Sequence, residues 1–256
     1  MNFYTYARHY GDKVLVRGVK NGERFTSRHE FRPTLFVKSQ KPSQYKSIYG
    51  ENVAPIQFEG NKAATEFFDK YKDVTNYPIY GQNYYAYQYI TEKYPGDIKW
   101  NKQDISIWSM DIETTADNGF PDVDNPREQL LVITLQDNNT KKIKTFGLHG
   151  WQPGPETKDL DVDYVACRDE YTLLKTFLEW WQENCPDIIT GWNSALFDIP
   201  YLLARTERIL GEGEHKKFSP FGLVNKRKIR FAQREMTAYE ITGVAQLDYL
   251  DLYKKF

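Results

Sequence analysis

Alternation is the first pattern in the chain. Val14-Leu-Val-Arg-Gly-Val and Glu23-Arg-Phe-Thr-Ser-Arg flank the pair Asn21-Gly22, and two β-prone runs around Asn-Gly predict a tight hairpin. Thr34-Leu-Phe-Val-Lys, following Pro33, predicts a third strand. From Asn61 to Tyr71 the period lengthens, with Ala64, Phe67, Phe68 and Tyr71 at helical spacing and Asn61 placed to cap. Residues 1–103 therefore read as a small β-rich N-terminal domain with one face open for binding. Tyr77, Tyr80, Tyr84, Tyr85, Tyr87, Tyr89 and Tyr94 crowd its end. Such rings can stack single-stranded bases or fill an interface between domains. The absence of interleaved Arg or Lys before Lys93 favours the interface. Lys93-Tyr-Pro-Gly-Asp97 is a turn, and the domain boundary is expected between it and Asp104.

From Ile105 strands and helices mix. Ile105-Ser-Ile-Trp-Ser-Met-Asp-Ile-Glu is a short apolar run ending in two acids, Asp111 and Glu113. Residues two apart on a strand share a face, so the carboxylates repel unless a cation sits between them or water hydrates both. A hard divalent ion such as magnesium or manganese suits oxygen donors; the dyad alone leaves metal and solvent equally open. A loop from Asp117 to Glu128 follows, then strands at Leu130–Leu135 and Lys142–Gly147 joined by a turn at Asp137-Asn-Asn-Thr140. Trp151 to Asp163 reads as loop. Asp169 to Cys185 is a helix with Leu174, Phe177, Leu178 and Trp181 on one face, Asp169 as its cap and Pro186 as its stop. Asp187-Ile-Ile-Thr-Gly-Trp is a buried strand, and a second helix runs through Leu210 with Pro200 in its first turn. The fold class is α/β (α+β), layered around a mixed sheet.

Composition changes little in this picture. Two cysteines, Cys167 and Cys185, have neither redox nor metal spacing, which points to unpaired thiols in a reducing compartment. The absence of a long apolar run argues against a signal peptide or membrane span and for a cytoplasmic protein. Net charge is −1, so the sum does not announce nucleic acid. The distribution says more: acids crowd Asp111 to Glu128, while Lys216, Lys217, Lys226, Arg227, Lys228, Arg230 and Arg234 gather towards the end. An acidic pocket beside a basic flank suits metal ions and a phosphate backbone, and two ordinary solvated faces remain an equal alternative.

Asp198 is the third acid of interest. At a helix entrance a carboxylate often only caps amides. Here, however, Asn193 and Phe197 precede it at short fixed distances. Asp111-Ile-Glu113 followed by Asn193-x-x-x-Phe197-Asp198 resembles the first two exonuclease motifs of family B DNA polymerases, the T-even bacteriophage type in particular. Ile189-Thr-Gly-Trp-Asn193, Phe197-Asp-Ile-Pro-Tyr201, Gly119-Phe-Pro121 and Leu247-Asp-Tyr-Leu-Asp-Leu-Tyr-Lys-Lys-Phe256 extend the likeness. It covers residues from about Ile105 onward well and the first hundred loosely. A bare D-x-E is a weak signal; both motifs in order are a strong one.

The resemblance implies a ribonuclease H-like 3′–5′ exonuclease domain over residues 104–256, using two Mg²⁺ or Mn²⁺ ions to remove 3′-terminal nucleotides. Asp111 would bridge the ions, Glu113 would bind one and help orient water, and Asp198 would hold the other. Asn193, Phe197 and Phe120 would contact the substrate, Phe120 by stacking on unpaired bases, with local loop packing as its alternative. Implied partners are a single-stranded 3′ end or primer–template DNA, RNA through the N-terminal domain, and the remaining polymerase domains or a second polymerase fragment; a phage enzyme would work in host cytoplasm. Lys226 to Gly243 resembles the extended hairpin that helps part primer from template, its turn expected near Arg234-Glu-Met-Thr.

One departure stands out. The family's third motif, Tyr-x-x-x-Asp, occurs nowhere in this chain. Asp248 and Asp251 lie nearest, with capping or surface roles expected for both. The exonuclease domain is thus expected to be incomplete, as in an engineered fragment, a truncation product or half of a split polymerase. A non-catalytic nucleic-acid-binding or subunit-docking module and a free-standing exonuclease are the alternatives.

Overall fold

The computed structural model describes residues 2–231 and 234–255. It divides into two compact units, Met1–Asn101 and Lys102–Phe256. In the first, β1 (Asn2–Tyr10), β2 (Lys13–Lys20) and β3 (Glu23–Glu30) form an antiparallel meander. The β2–β3 turn is the expected one, with Asn21 and Gly22 at φ 54° and 86°, the left-handed pair that matches strand twist. A second sheet is built from β4 (Thr34–Lys38), β5 (Tyr45–Lys46), β6 (Asn52–Gln57) and, after helix α1 (Asn61–Tyr71), β7 (Ile79–Tyr80), in the order β5-β6-β4-β7. Helix α2 (Tyr85–Lys93) closes the unit.

Two expectations for this unit are corrected. Asn61 does not cap α1: its amide donates to the Gly11 carbonyl at 2.7 Å, and the Asp12 carboxylate accepts the Lys62 amide at 3.1 Å. An acid distant in sequence has taken the capping role. The second half of the tyrosine-rich stretch is helix α2, and its Tyr85 and Tyr89 are buried in this unit's own core with Val14, Val16 and Leu35. Tyr84 and Tyr87 stay on its surface.

The second unit is built on six strands. They are β8 (Ile107–Thr114), β9 (Leu130–Asp137), β10 (Ile143–Leu148), β11 (Val162–Cys167), then, after helix α3 (Glu170–Asn184), β12 (Ile188–Gly191), and, later, one more. Helix α4 (Asp198–Leu210) follows β12, and a separate hairpin of β13 (Val224–Phe231) and β14 (Arg234–Ile241) comes next. The sixth strand is β15 (Ala245–Asp248), and helix α5 (Tyr249–Lys255) ends the described chain. Sheet order is β11-β10-β9-β8-β12-β15. β9 runs antiparallel to both neighbours, while β12 is parallel to β8 and to β15. A central first strand, a meander on one side and parallel strands on the other make the ribonuclease H-like arrangement, here with β11 added in parallel at the edge. β11 starts within the stretch expected as loop. The turn was expected near Arg234-Glu-Met-Thr, and Arg234 to Thr237 is strand; residues 232 and 233 lie outside those described, as does Phe256.

The core of this unit gathers the buried faces of the sheet and both helices. Ile133, Leu135 and Phe146 meet Leu174, Phe177 and Trp181 of α3 and Leu202 of α4. Each such side chain contributes about 1.5–3 kcal/mol through apolar area removed from water. Asp169 caps α3 as expected, accepting the Thr172 amide at 2.7 Å. Between α3 and α4 lies a buried ion pair in which Arg205 Nε and Nη2 donate to Glu170 Oε1 and Oε2 at 2.7 and 2.6 Å. Gly191 is where β12 passes closest to β8: a Cβ there would stand 2.7 Å from the Met110 carbonyl oxygen, so the position admits no side chain without a backbone shift.

Candidate active site

β8 is interior to the sheet, and its acids lie in the C-terminal half of the strand, Glu113 next to its last residue. Met110 and Ile112 point into the core, while Asp111 and Glu113 share the opposite, exposed face. Alternation alone produces this arrangement. Asp198 reaches the same place from elsewhere. It is the first residue of α4, is only 5% exposed, and its Oδ1 accepts the amide of Ile112 at 3.1 Å. The third acid is thereby fixed against the backbone between the first two.

The electrostatics follow from burial. Desolvation pushes the Asp198 carboxyl up to about 6; the Ile112 amide opposes the shift, while Asp111 and, more weakly, Asp248 add to it. Among the described residues no three Asp, Glu, His or Cys side chains are grouped closely enough to surround one ion. The donor set suits a hard cation, because every candidate ligand is a carboxylate oxygen, and a divalent charge would reverse the upward pull on Asp198.

The loop after β8 is held by one buried acid. Glu128 accepts from Thr115 Oγ1 at 2.6 Å and from the amides of Asp117 and Asn118 at 3.0 and 3.1 Å. The Thr115 hydroxyl, the Asn118 side chain and these amides keep its carboxyl below the usual range. Helix α4 grips the same loop through Tyr201, whose hydroxyl donates to the Glu128 carbonyl at 2.6 Å, and through Arg205, which donates to the Pro126 carbonyl at 2.8 Å. The loop presents Phe120, which is 85% exposed, with its ring 5.3 Å from that of Phe197. Phe197 stacks in turn on Tyr201 at 5.7 Å.

A cleft of about 360 Å³ opens beside these rings, lined by Phe120, Asp124, Asn193, Phe197, Met236 and Thr237 among others. One wall belongs to the β13–β14 hairpin. Asp124 ties that wall to the loop, accepting from Lys228 Nζ at 2.7 Å and from the Thr237 hydroxyl. Both bonds hold its carboxyl below the ordinary value. Lys226, Arg227 and Arg230 are exposed along β13.

The first motif thus lies on β8, the second in the bend that leads into α4, and a ring-lined cleft opens beside that bend; comparison with known proteins agrees. The description "DNA polymerase family B, exonuclease domain" fits residues 75–256. The chain belongs to that family. Similar proteins include the DNA-directed DNA polymerase of Enterobacteria phage T4, 32% identical over 99% of this chain and 30% of its own length. The DNA-directed DNA polymerase of Escherichia phage RB69 is 28% identical over 99% of this chain and 31% of its own length. The DNA polymerase of Pyrococcus glycovorans is 26% identical over 60% of this chain and 17% of its own length. The chain therefore spans less than a third of the length of the phage relatives.

For a family B exonuclease domain, the structure places the residues singled out in the sequence as follows. Asp111 and Glu113 lie on β8, Asp198 at the start of α4 is bonded to the Ile112 amide between them, and Asn193, Phe197 and Phe120 line the adjoining cleft. Asp251 is exposed on α5, away from any such role. Glu128 and Asp124 escaped the sequence reading, because each works through hydrogen bonds to partners that no local spacing reveals. Asp248 is buried, with its carboxylate turned on backbone amides of the 193–195 turn. Among the described residues no helix is long and apolar enough to cross a membrane.

Proposed function

We propose that this chain carries the 3′–5′ proofreading exonuclease centre of a phage-type replicative DNA polymerase, acting on single-stranded 3′ ends in the host cytoplasm together with the polymerase's other domains. One observation carries the reading: the third acid of the motif set is bonded to the backbone between the first two, Asp198 to Ile112. Asp111, Glu113 and Asp198 would hold two Mg²⁺ or Mn²⁺ ions, which when bound would stabilise both the attacking and the leaving oxygen of an in-line displacement at phosphorus.

The chain's own groups supply the rest. Phe120 and Phe197 offer ring faces to an unpaired base, which suits removal of any nucleotide because stacking is tolerant of sequence. Asn193 lines the cleft, which supports the reading that it would contact the terminal nucleotide. The basic strand β13 supports phosphate contact, and the Asp124–Lys228 bond holds that strand beside the cleft.

End-labelled single-stranded DNA incubated with Mg²⁺ or Mn²⁺ tests the proposal. Metal-dependent loss of 3′ nucleotides that disappears in the Asp111→Ala, Glu113→Ala double variant is expected. Cleavage that survives in the double variant refutes the assignment of the acids. Tight DNA binding without cleavage by the wild-type chain would replace the exonuclease with a binding module.

A further inference from the structure

Asp248 is a buried acid that the proposed chemistry leaves unused. It is the last residue of β15, paired with Gly191 at the point where the chain leaves β12. Its carboxylate accepts three backbone amides: Asn193 at 2.9 Å and Leu250 at 2.8 Å on Oδ1, and Ala195 at 3.0 Å on Oδ2. The first and third are separated from it by 55 and 53 residues, so this is no local turn. It is a tertiary clamp on the segment between β12 and α4.

That segment has reason to need a clamp. Asn193 holds φ at +59°, in the left-handed region that a non-glycine residue enters at a cost of order 1 kcal/mol. The Asn193 carbonyl then accepts the amides of Leu196 and Phe197, both at 3.1 Å, closing the tight bend that delivers Asp198 to β8. Everything this bend presents (Asn193 on the cleft, Phe197 beside Phe120, Asp198 against Ile112) depends on its keeping that shape. A carboxylate receiving three N–H donors is also well satisfied, and gives them up only at the loss of charge-assisted bonds.

We infer that Asp248 is a positioning residue for the exonuclease centre: it fixes the 193–198 bend through backbone amides and is not itself a metal ligand. The inference rests on the exonuclease reading for its catalytic half, while the clamp itself stands apart from it. Asp248 and Asp251 are the acids nearest in sequence to where the missing third motif is expected; Asp251 is exposed, and the geometry of Asp248 assigns it other work.

Asp248→Asn separates the possibilities, since asparagine keeps the size and one acceptor oxygen but loses the charge and the second acceptor. Asp251→Asn, an exposed neighbour, is the control. Hydrogen exchange by NMR is expected to show the Asn193 and Ala195 amides exchanging at least tenfold faster in Asp248→Asn and unchanged in Asp251→Asn. With Mn²⁺ as probe, binding followed by electron paramagnetic resonance is expected to stay within about twofold of wild type, while kcat/KM on single-stranded DNA falls more than tenfold. Mn²⁺ binding weakened tenfold with exchange unaltered would make Asp248 a ligand and overturn the inference. Faster exchange with undiminished kcat/KM would overturn its catalytic half. A wild-type chain that binds Mn²⁺ but does not cleave refutes the exonuclease reading instead, and the exchange rates still decide the clamp. Should Asp248→Asn fail to fold, Ala195→Pro, which deletes one of the three donors, takes its place, with exchange read at the Asn193 amide alone and the Mn²⁺ and kinetic measurements unchanged.

Discussion

The Oδ1 atom of Asp198 lies 3.1 Å from the amide nitrogen of Ile112, the single residue between Asp111 and Glu113. A helix start and a strand interior are joined there by one hydrogen bond. The three acids do not share one environment: Asp111 and Glu113 are exposed, whereas Asp198 is sealed beneath them.

Removing charge from the exposed pair should abolish chemistry and spare the fold. Asp111→Asn and Glu113→Gln are each expected to lower the rate of 3′-nucleotide release by about 10²–10³-fold, the scale of losing one electrostatic element of an active site. Thermal unfolding should be unaltered within about 0.5 kcal/mol, as for exposed substitutions generally. Single-turnover cleavage beside calorimetry checks both.

The buried acid should reveal itself through pH. Native Asp198 keeps its proton up to about pH 6, whereas an unfolded aspartate releases it near pH 3.9. The native state then binds more protons than the unfolded state between about pH 4 and 6, so this group makes stability fall as pH rises through that window. Asp198→Asn, which keeps an acceptor for the Ile112 amide, is expected to be more stable than wild type at pH 7 by about 1–3 kcal/mol. The gain should vanish near pH 4. Urea unfolding without divalent ions, repeated across this range, provides the measurement.

Arg205→Met should be severely destabilising. It strips the bidentate partner from Glu170, both residues being buried, and a stranded buried charge costs about 3–5 kcal/mol. The double change Glu170→Gln with Arg205→Met is expected to cost clearly less than the sum of the singles. Chemical denaturation of the three variants tests this. Equal additivity would mean that the pair is not coupled.

Phe120→Ala is the opposite kind of change. Its ring is 85% exposed and meets Phe197 at the lip of the cleft, so folding stability should hold within about 0.5 kcal/mol. Affinity for single-stranded DNA should fall by about 1–3 kcal/mol, the value of one stacked base. Fluorescence anisotropy with a labelled oligonucleotide reads the effect.

What the sequence made legible was local. The Asn21-Gly22 turn, strand Thr34–Lys38 and the Asp169-capped helix were readable because each depends on residues a few positions apart. Asn61 misled because Asp12, brought in by the β1–β2 turn, caps α1 in its place. Helix α2 was hidden by its tyrosines, whose rings pack like apolar residues and whose hydroxyls blur the periodicity. β11 was missed because its pairing with β10 is long-range and its faces are only half-buried. In the candidate site the acids were visible as motif letters. Asp248 was expected to cap, and it does accept the Leu250 amide at the start of α5; its hold on the 193–195 turn, 55 and 53 residues away, and the loop-holding role of Glu128 were not legible.

The order of the sheet has a consequence for timing. Asp198 and Ile112 are 86 residues apart in sequence, and Asp248 lies further still along the chain on the outermost strand beyond β12. Contacts of such long range form late and slowly. Asp198 meets β8 only where β8 and β12 lie side by side, so the meeting of the motif acids is a property of the tertiary fold and of no single segment.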